Sequence, residues 1–218
     1  PMRRPGSPEQ MPEARPRAGT AAPDPGRSAA GSDPRPPTLA QIAWAPVVAA
    51  ATATVVILTA LSGRYGYHRD ELYFRMLPAD VGYTDQPFLT PFLARALSDL
   101  VADEVWALRI PATLAAGTAI VLLALLTREL GGGRRAQVIS AWGYAGTASI
   151  LMFGHVLLPA TLDLALWLAV LLAATRAVLR DPRCWLVAGV LIGLTTWNRW
   201  LVVVLAVSIA VGVLLFGP

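Results

Sequence analysis

Residues 42–61 read IAWAPVVAAATATVVILTAL, twenty residues without a charge. As an α-helix, such a run is long enough to cross the roughly 30 Å hydrocarbon core of a bilayer. A secretory signal peptide is the competing interpretation, but the run is longer than a typical apolar h-region and has no clear cleavage motif. We therefore interpret it as a retained membrane span.

The composition of the whole chain is that of a membrane protein. Apolar residues make up 55% of the 218 positions and charged residues only 15%, whereas about a quarter of the residues in a soluble domain are charged. The 18 basic residues are all Arg, and they do not cluster on one predicted face with interleaved aromatic residues, as nucleic-acid binding would require. We predict contact with membrane lipid and no nucleic-acid partner. The single cysteine, Cys184, excludes a disulfide within the chain.

Five further apolar runs bring the number of predicted transmembrane helices to six. A single helix from 184 to 216 would be about 50 Å long, so a break near Asn198 and Arg199 is favoured. The sequence therefore predicts an all-α membrane protein, a polytopic helix bundle. The additional predicted spans are Ile110–Leu126, Ala136–Phe153, Leu162–Val178, Cys184–Trp197 and Trp200–Phe216.

The first 40 residues differ from the rest of the chain. They contain ten of the 18 prolines, with Gly, Ser and Arg between them and almost no large apolar residue. Such a segment cannot bury enough surface to offset its ordering entropy. We predict a disordered Pro/Arg-rich tail over 1–40 and a membrane domain over 41–218. Because the chain begins at Pro1 and stops directly after an apolar run, we also expect a fragment of a longer protein.

The distribution of Arg predicts the orientation of the chain. The tail holds six Arg, and the connections at 128–135 and 176–183 hold three each, so the positive-inside rule places these segments in the cytoplasm. Residues 63–105 carry seven acids against four Arg. We therefore place that segment outside, in a multi-pass protein of the cell membrane with a cytoplasmic N-terminus.

This topology brings distant ionisable residues to one face of the membrane. Asp70 and Glu71, in the sequence HRDELY (68–73), follow the first span, and Asp163 enters the fourth. His155 ends the third span, and Arg199 separates the fifth from the sixth. Each has a structural alternative: acids at helix N-termini, an interfacial histidine, or an arginine that snorkels to the interface. Together they favour an external reaction site.

The first external segment is predicted to contain two interfacial helices. One continues from Asp70 through residues 72–76, and the other covers Phe92–Leu100. Between them, residues 82–91 read GYTDQPFLTP, where proline after Gln86 favours an extended approach. Asp85 either orients a sugar hydroxyl or caps the second helix, and the sequence leaves both open.

These motifs resemble the family 39 glycosyltransferases, which include protein O-mannosyltransferases and bacterial aminoarabinose transferases. The resemblance covers roughly residues 42–216. It rests on the Asp-Glu pair after the first span, the GYTDQPFL segment (82–89), the acid entering the fourth span and the basic residue after the fifth. It implies the multi-helix fold called GT-C. Family members carry further helices and often an external C-terminal domain, which again implies an N-terminal fragment.

The resemblance implies an inverting transfer of a hexosyl or pentosyl group. The donor would be a polyprenyl-phosphate sugar and the acceptor a hydroxyl of a lipid, glycan or protein, on the extracytoplasmic face. Asp70 would be the general base and Glu71 its support, as catalytic residues. Asp163 matches the second acid of the family, and Arg199 falls where a basic residue would bind the donor phosphate. With Asp85, Gln86 and His155 these two residues form the predicted substrate-binding set.

We predict neither a metal nor a cofactor. The sequence contains no His/Cys cluster, and acids near Asp70 would hold a divalent ion only loosely. Two alternatives to the enzyme remain open. A transporter or flippase half would place ionisable residues and broken helices along a path near the bilayer midplane. A noncatalytic membrane subunit would leave the carboxylates pointing separately into water.

Overall fold

The computed structural model describes residues 39–78, 80 and 82–217. The predicted tail lies almost wholly outside these residues. The described residues form ten helices and no strand, which confirms the all-α prediction. The helices are α1 (Trp44–Ser62), α2 (Arg69–Met76), α3 (Leu89–Leu100), α4 (Val105–Leu108), α5 (Ile110–Glu129), α6 (Arg134–Ala145), α7 (Ala148–Phe153), α8 (Pro159–Leu179), α9 (Cys184–Thr196) and α10 (Val202–Phe216).

Three stretches are helical, long and apolar enough to cross a membrane. They are Trp44–Ser62, Val105–Glu129 and Pro159–Leu179. Proline occurs within the first three residues of each of the long helices α1, α5 and α8, where its missing N–H would have no intrahelical partner. Helices α9 and α10 are apolar but shorter, with 13 and 15 residues. The count of six spans therefore stays a prediction.

Two regions of the chain contain broken helices. The predicted break near Asn198 and Arg199 is confirmed, since α9 ends at Thr196 and α10 begins at Val202. The predicted span 136–153 is divided as well. Gly146 ends α6, and the hydroxyl of Thr147 accepts a hydrogen bond from the Ile150 N–H at 3.4 Å to cap α7. An apolar run cannot reveal such a division, because the cap competes locally with helix continuation.

Helix α5 is central to the bundle, since it packs against α1, α6 and α8, and α8 packs in turn against α9. The α1–α5 contact is close because Gly117 faces Val55: an added Cβ at Gly117 would lie 2.6 Å from the Val55 methyl. Small residues permit such approach between apolar helices. The buried core at this contact is accordingly rich in alanine, including Ala50, Ala116 and Ala119.

The two ends of the bundle are held by different polar contacts. At one end, which we call the Glu129 end, the buried carboxylate of Glu129 accepts hydrogen bonds from Arg176 (2.8 Å) and Arg180 (3.0 Å). Arg128 donates to the Ala40 carbonyl there at 2.8 Å. The other end carries α2, α3 and the start of α8, and we call it the Asp70 end. The candidate site lies at the Asp70 end.

Candidate active site

A buried ion pair lies at the Asp70 end of the bundle. The guanidinium of Arg109 donates to both oxygens of Glu71, with Nε–Oε1 at 3.0 Å and Nη2–Oε2 at 2.9 Å. Glu71 is 0% exposed and Arg109 is 2% exposed. Bidentate pairs of this kind fix geometry as well as charge.

Backbone groups form further hydrogen bonds with both members of this ion pair. The N–H groups of Leu157 and His68 donate to the Glu71 carboxylate at 3.0 and 2.8 Å. Arg109 also donates to the carbonyls of Ser62 (2.6 Å) and Gly66 (2.9 Å). Burial alone would raise the pKa of Glu71, but the hydrogen bonds from Arg109 and the backbone outweigh it, so the pKa lies below its ordinary value of 4.5. Glu71 is held ionised, and it joins α1, α2, α5 and the segment before α8.

Asp70 and Glu71 were predicted as paired catalytic residues of one external site, but their side chains point in different directions. Helical residues one apart project about 100° from each other, so Asp70 and Glu71 cannot share a direction on α2. Glu71 turns into the protein, and all its hydrogen bonds are internal. It does not line the cavity that contains Asp70. Its geometry suits support of the site rather than contact with a ligand.

Asp70 lines a cavity of about 530 Å³ at this end of the bundle. Its carboxylate is 36% exposed and pairs with the exposed Arg69 at 3.1 Å. Arg199 lines the same cavity, with Asp85 and Gln86. The cavity therefore combines two carboxylates with one guanidinium. The remaining wall consists of Tyr73, Phe74, Pro87, Leu158, Pro159, Ala160, Asn198, Trp200 and Leu201.

Asp85 is held by α2. The phenol of Tyr73 donates a hydrogen bond to Asp85 Oδ2 at 2.5 Å, and this bond raises the pKa of Tyr73 above its ordinary value of 10.0. This hydrogen bond orients the Asp85 carboxylate, which lines the cavity. Gln86 follows in the chain, and its buried Nε2 has no hydrogen-bond partner among the described residues.

Arg199 lies next to the start of α8. Its Nη1 is 3.8 Å from Asp163 Oδ2, and the side chain is 47% exposed. The other oxygen of Asp163 accepts a hydrogen bond from Asn198 at 2.8 Å. Asp163 thus contacts Arg199, the residue predicted to bind the donor phosphate. It does not itself line the 530 Å³ cavity.

A second cavity of about 370 Å³ adjoins the first and shares Ala160, Arg199 and Leu201 with it. This second cavity extends along α8 and is largely apolar. The rest of its lining consists of Tyr144, Asp163, Leu164, Trp167, Leu168 and Leu171. The guanidinium of Arg199 therefore stands where a polar cavity meets an apolar groove.

His155 is not part of either cavity. Its ring packs edge-on against Tyr65, with the centroids 5.7 Å apart. Burial and the nearby Arg109 charge lower the pKa of His155 below its ordinary value of 6.5, so the ring is neutral at pH 7. This placement gives His155 no contact with a ligand in the cavities.

Two residues that build this end were not predicted from the sequence as site residues. Arg109 directly precedes an apolar run, and a charge in that position calls for an acidic partner. That signal could have identified it. Asn198 gave no such signal, because it is uncharged and stands at a predicted break. Within the described ranges, no three His, Cys, Asp or Glu side chains come together as they would to hold a metal ion.

Comparison with known proteins indicates the family of this chain. Residues 85–218 match the family model described as dolichyl-phosphate-mannose-protein mannosyltransferase. No curated protein and no solved structure is significantly similar to the chain. The match covers more than half of the sequence and includes Asp85, Gln86, Asp163 and Arg199. The chain therefore belongs to the dolichyl-phosphate-mannose-protein mannosyltransferase family, a family of membrane glycosyltransferases.

Proposed function

We propose that this protein transfers a sugar from a polyprenyl-phosphate carrier to a hydroxyl acceptor on the extracytoplasmic face of the membrane. The observation that carries the proposal is the shared cavity of Asp70 and Arg199, a carboxylate and a guanidinium 129 positions apart in the sequence. The first is suited to accept a proton and the second to bind a phosphate. Family membership favours this enzyme over a transporter or a noncatalytic subunit.

The donor would lie across the two adjoining cavities. Its phosphate would bind Arg199, whose guanidinium can grip two phosphate oxygens at once. Its isoprenoid tail would follow the apolar groove along α8, past Leu164 and Trp167. The sugar would then occupy the polar cavity near Asp85 and Gln86, where a carboxylate and an amide can bind hydroxyl groups.

The proposed reaction is a single displacement with inversion. The acceptor oxygen attacks the anomeric carbon of the sugar while Asp70 takes the hydroxyl proton, within hydrogen-bond reach of about 2.6–3.2 Å. The bond between the anomeric carbon and the phosphate oxygen breaks. The polyprenyl phosphate leaves with the electron pair, and Arg199 stabilises the negative charge that develops on it. The ion pair between Glu71 and Arg109 holds α2, and with it Asp70, in place.

The substitution Asp70→Asn tests the proposed base. It keeps the shape of the side chain but removes the charge that accepts the proton. We expect sugar transfer from a labelled polyprenyl-phosphate sugar to fall at least about a hundredfold, the usual contribution of a general base. The assay uses membranes that contain the full chain.

Asp99→Asn is the matched control. Asp99 lies on α3, pairs with Arg95 at 3.2 Å, and does not line the site cavity. We expect transfer by this variant to stay near that of the unmodified protein. Full turnover by Asp70→Asn, in membranes with normal amounts of protein, would remove Asp70 from the proposed role.

A further inference from the structure

Asn198 occupies the break between α9 and α10 and is only 1% exposed. Its Nδ2 donates to Asp163 Oδ1 at 2.8 Å and to the Pro159 carbonyl at 2.8 Å. Its Oδ1 accepts a hydrogen bond from the hydroxyl of Thr90 at 3.0 Å. One amide thus connects α3, the start of α8 and the segment that carries Arg199.

These partners permit one orientation of the amide. The carboxylate of Asp163 and the carbonyl of Pro159 are both acceptors, so they require the two N–H groups of Asn198. The Thr90 hydroxyl donates to the remaining oxygen. A flipped amide would place its oxygen against two acceptors and leave buried groups unpaired, which is costly. The contacts therefore fix the side chain of Asn198.

The fixed amide also determines the direction of Asp163. With Oδ1 bound to Asn198, Oδ2 is the carboxylate oxygen nearest Arg199, at 3.8 Å from its Nη1. The backbone of the break is tied down separately, because the Leu89 N–H donates to the Trp197 carbonyl at 3.0 Å. That bond satisfies a carbonyl that the end of α9 leaves without a helical partner.

We propose that Asn198 is a positioning residue for the phosphate site. It orients Asp163, and Asp163 holds the guanidinium of Arg199 at the junction of the two cavities. The ligand would be the phosphate of a polyprenyl phosphate, so this inference rests on the proposed function. Without Asn198, Arg199 would keep its charge but lose its fixed position.

A double-mutant cycle between Asn198 and Arg199 tests the inference. The affinity of polyprenyl phosphate without a sugar is measured on the purified full chain in lipid nanodiscs. We expect Arg199→Ala to weaken binding about tenfold, the effect of losing a hydrogen bond to a charged group. Asn198→Ala should weaken binding by up to the same factor, because it acts through Arg199. If Asn198 acts through Arg199, the double variant binds no more than about twofold more weakly than Arg199→Ala.

Two further variants separate positioning from general packing. Thr195→Val changes a buried neighbour whose hydroxyl donates to Leu191 within α9 at 2.7 Å, and it should leave the affinity within about twofold. Thr90→Val removes the hydrogen bond to Asn198 Oδ1 and keeps the side-chain shape. It should weaken binding in the same direction as Asn198→Ala, and it replaces that variant in the cycle if Asn198→Ala fails to fold.

The outcomes distinguish this inference from the proposed function. Additive losses in the double variant would show that Asn198 acts independently of Arg199 and would overturn the inference. Full affinity of Asn198→Ala beside a loss in Arg199→Ala would overturn it as well, while leaving the phosphate site intact. Full affinity of Arg199→Ala would instead contradict the phosphate site of the proposed function.

Discussion

Asp70 and Glu71 are neighbours in the sequence but have opposite environments. Asp70 is half-exposed at the edge of a cavity, whereas Glu71 is fully buried against Arg109. Removing one partner of a buried ion pair leaves the other as an uncompensated buried charge. This loss of stability exceeds the stability that the intact pair contributes. The two carboxylates should therefore respond differently to the same substitution.

The substitution Glu71→Gln should destabilise the protein by about 3–5 kcal/mol, because it leaves the Arg109 guanidinium buried without a counter-charge. Thermal unfolding of the purified protein in detergent measures the loss. Asp70→Asn is the control, and we expect it to change stability by no more than about 0.5 kcal/mol, as at other exposed sites. Equal unfolding temperatures for the two variants would contradict the structural role of Glu71.

The same pair predicts an acid dependence of stability. The folded-state pKa of Glu71 lies below its ordinary value of 4.5. The stabilisation by the ionised carboxylate is therefore complete at pH values above the ordinary pKa. The contribution is lost as the pH falls through the lower folded-state pKa. The difference in unfolding temperature between the unmodified protein and Glu71→Gln should therefore narrow in strong acid. A constant difference across that range would argue against this linkage.

Much of the site was predictable from residue type and order. Asp70 and Arg199 were selected from the predicted topology, because charges beside apolar runs are costly unless they serve a function. Asp85 was selected from the GYTDQPFLTP segment, and the three residues line one cavity. Asp70 and Glu71 were predicted as a unit, because the rotation of about 100° between successive helical residues was not taken into account. Asn198 was out of reach, because its role depends on contacts with residues 35 and 108 positions away.

The helices show the same division between what the sequence reveals and what it does not. The break between α9 and α10 follows from length, because one continuous helix would exceed the thickness of the bilayer. The division between α6 and α7 depends instead on the Thr147 cap, a local contact that competes with an unbroken apolar pattern. Helix breaks are therefore easier to predict in apolar runs that are too long for the bilayer than in runs of ordinary length.

The α1–α5 contact gives a prediction about helix packing. Gly117→Ala should lower the unfolding temperature, because the new methyl would lie 2.6 Å from the β-branched Val55 side chain. Gly143→Ala is the matched control within α6, where an added Cβ has nothing within 4 Å. It should stabilise the protein by up to about 1 kcal/mol through helix propensity alone. Stabilisation by both substitutions would show that α1 and α5 are not closely packed at Gly117.

The helical part of the chain that the structure describes has two polar ends separated by apolar helices. Arg128, Arg176 and Arg180 surround Glu129 at one end, and the candidate site lies at the other. The positive-inside rule favours a cytoplasmic Glu129 end and an extracytoplasmic Asp70 end. In that orientation a lipid-borne donor could approach through the apolar groove from the membrane while an acceptor entered the polar cavity from outside.

Photo-crosslinking of the donor tests this arrangement most directly. The probe is a polyprenyl phosphate with a photoreactive group on its first isoprene unit, applied to membranes that contain the full chain. We predict crosslinks to Ala160 and Leu201, which line both cavities, and to Leu164 in the adjoining apolar groove. Excess unlabelled polyprenyl phosphate should suppress them. Crosslinks confined to the outer faces of α9 and α10, or to exposed α3 residues such as Phe92, would contradict the proposed donor site.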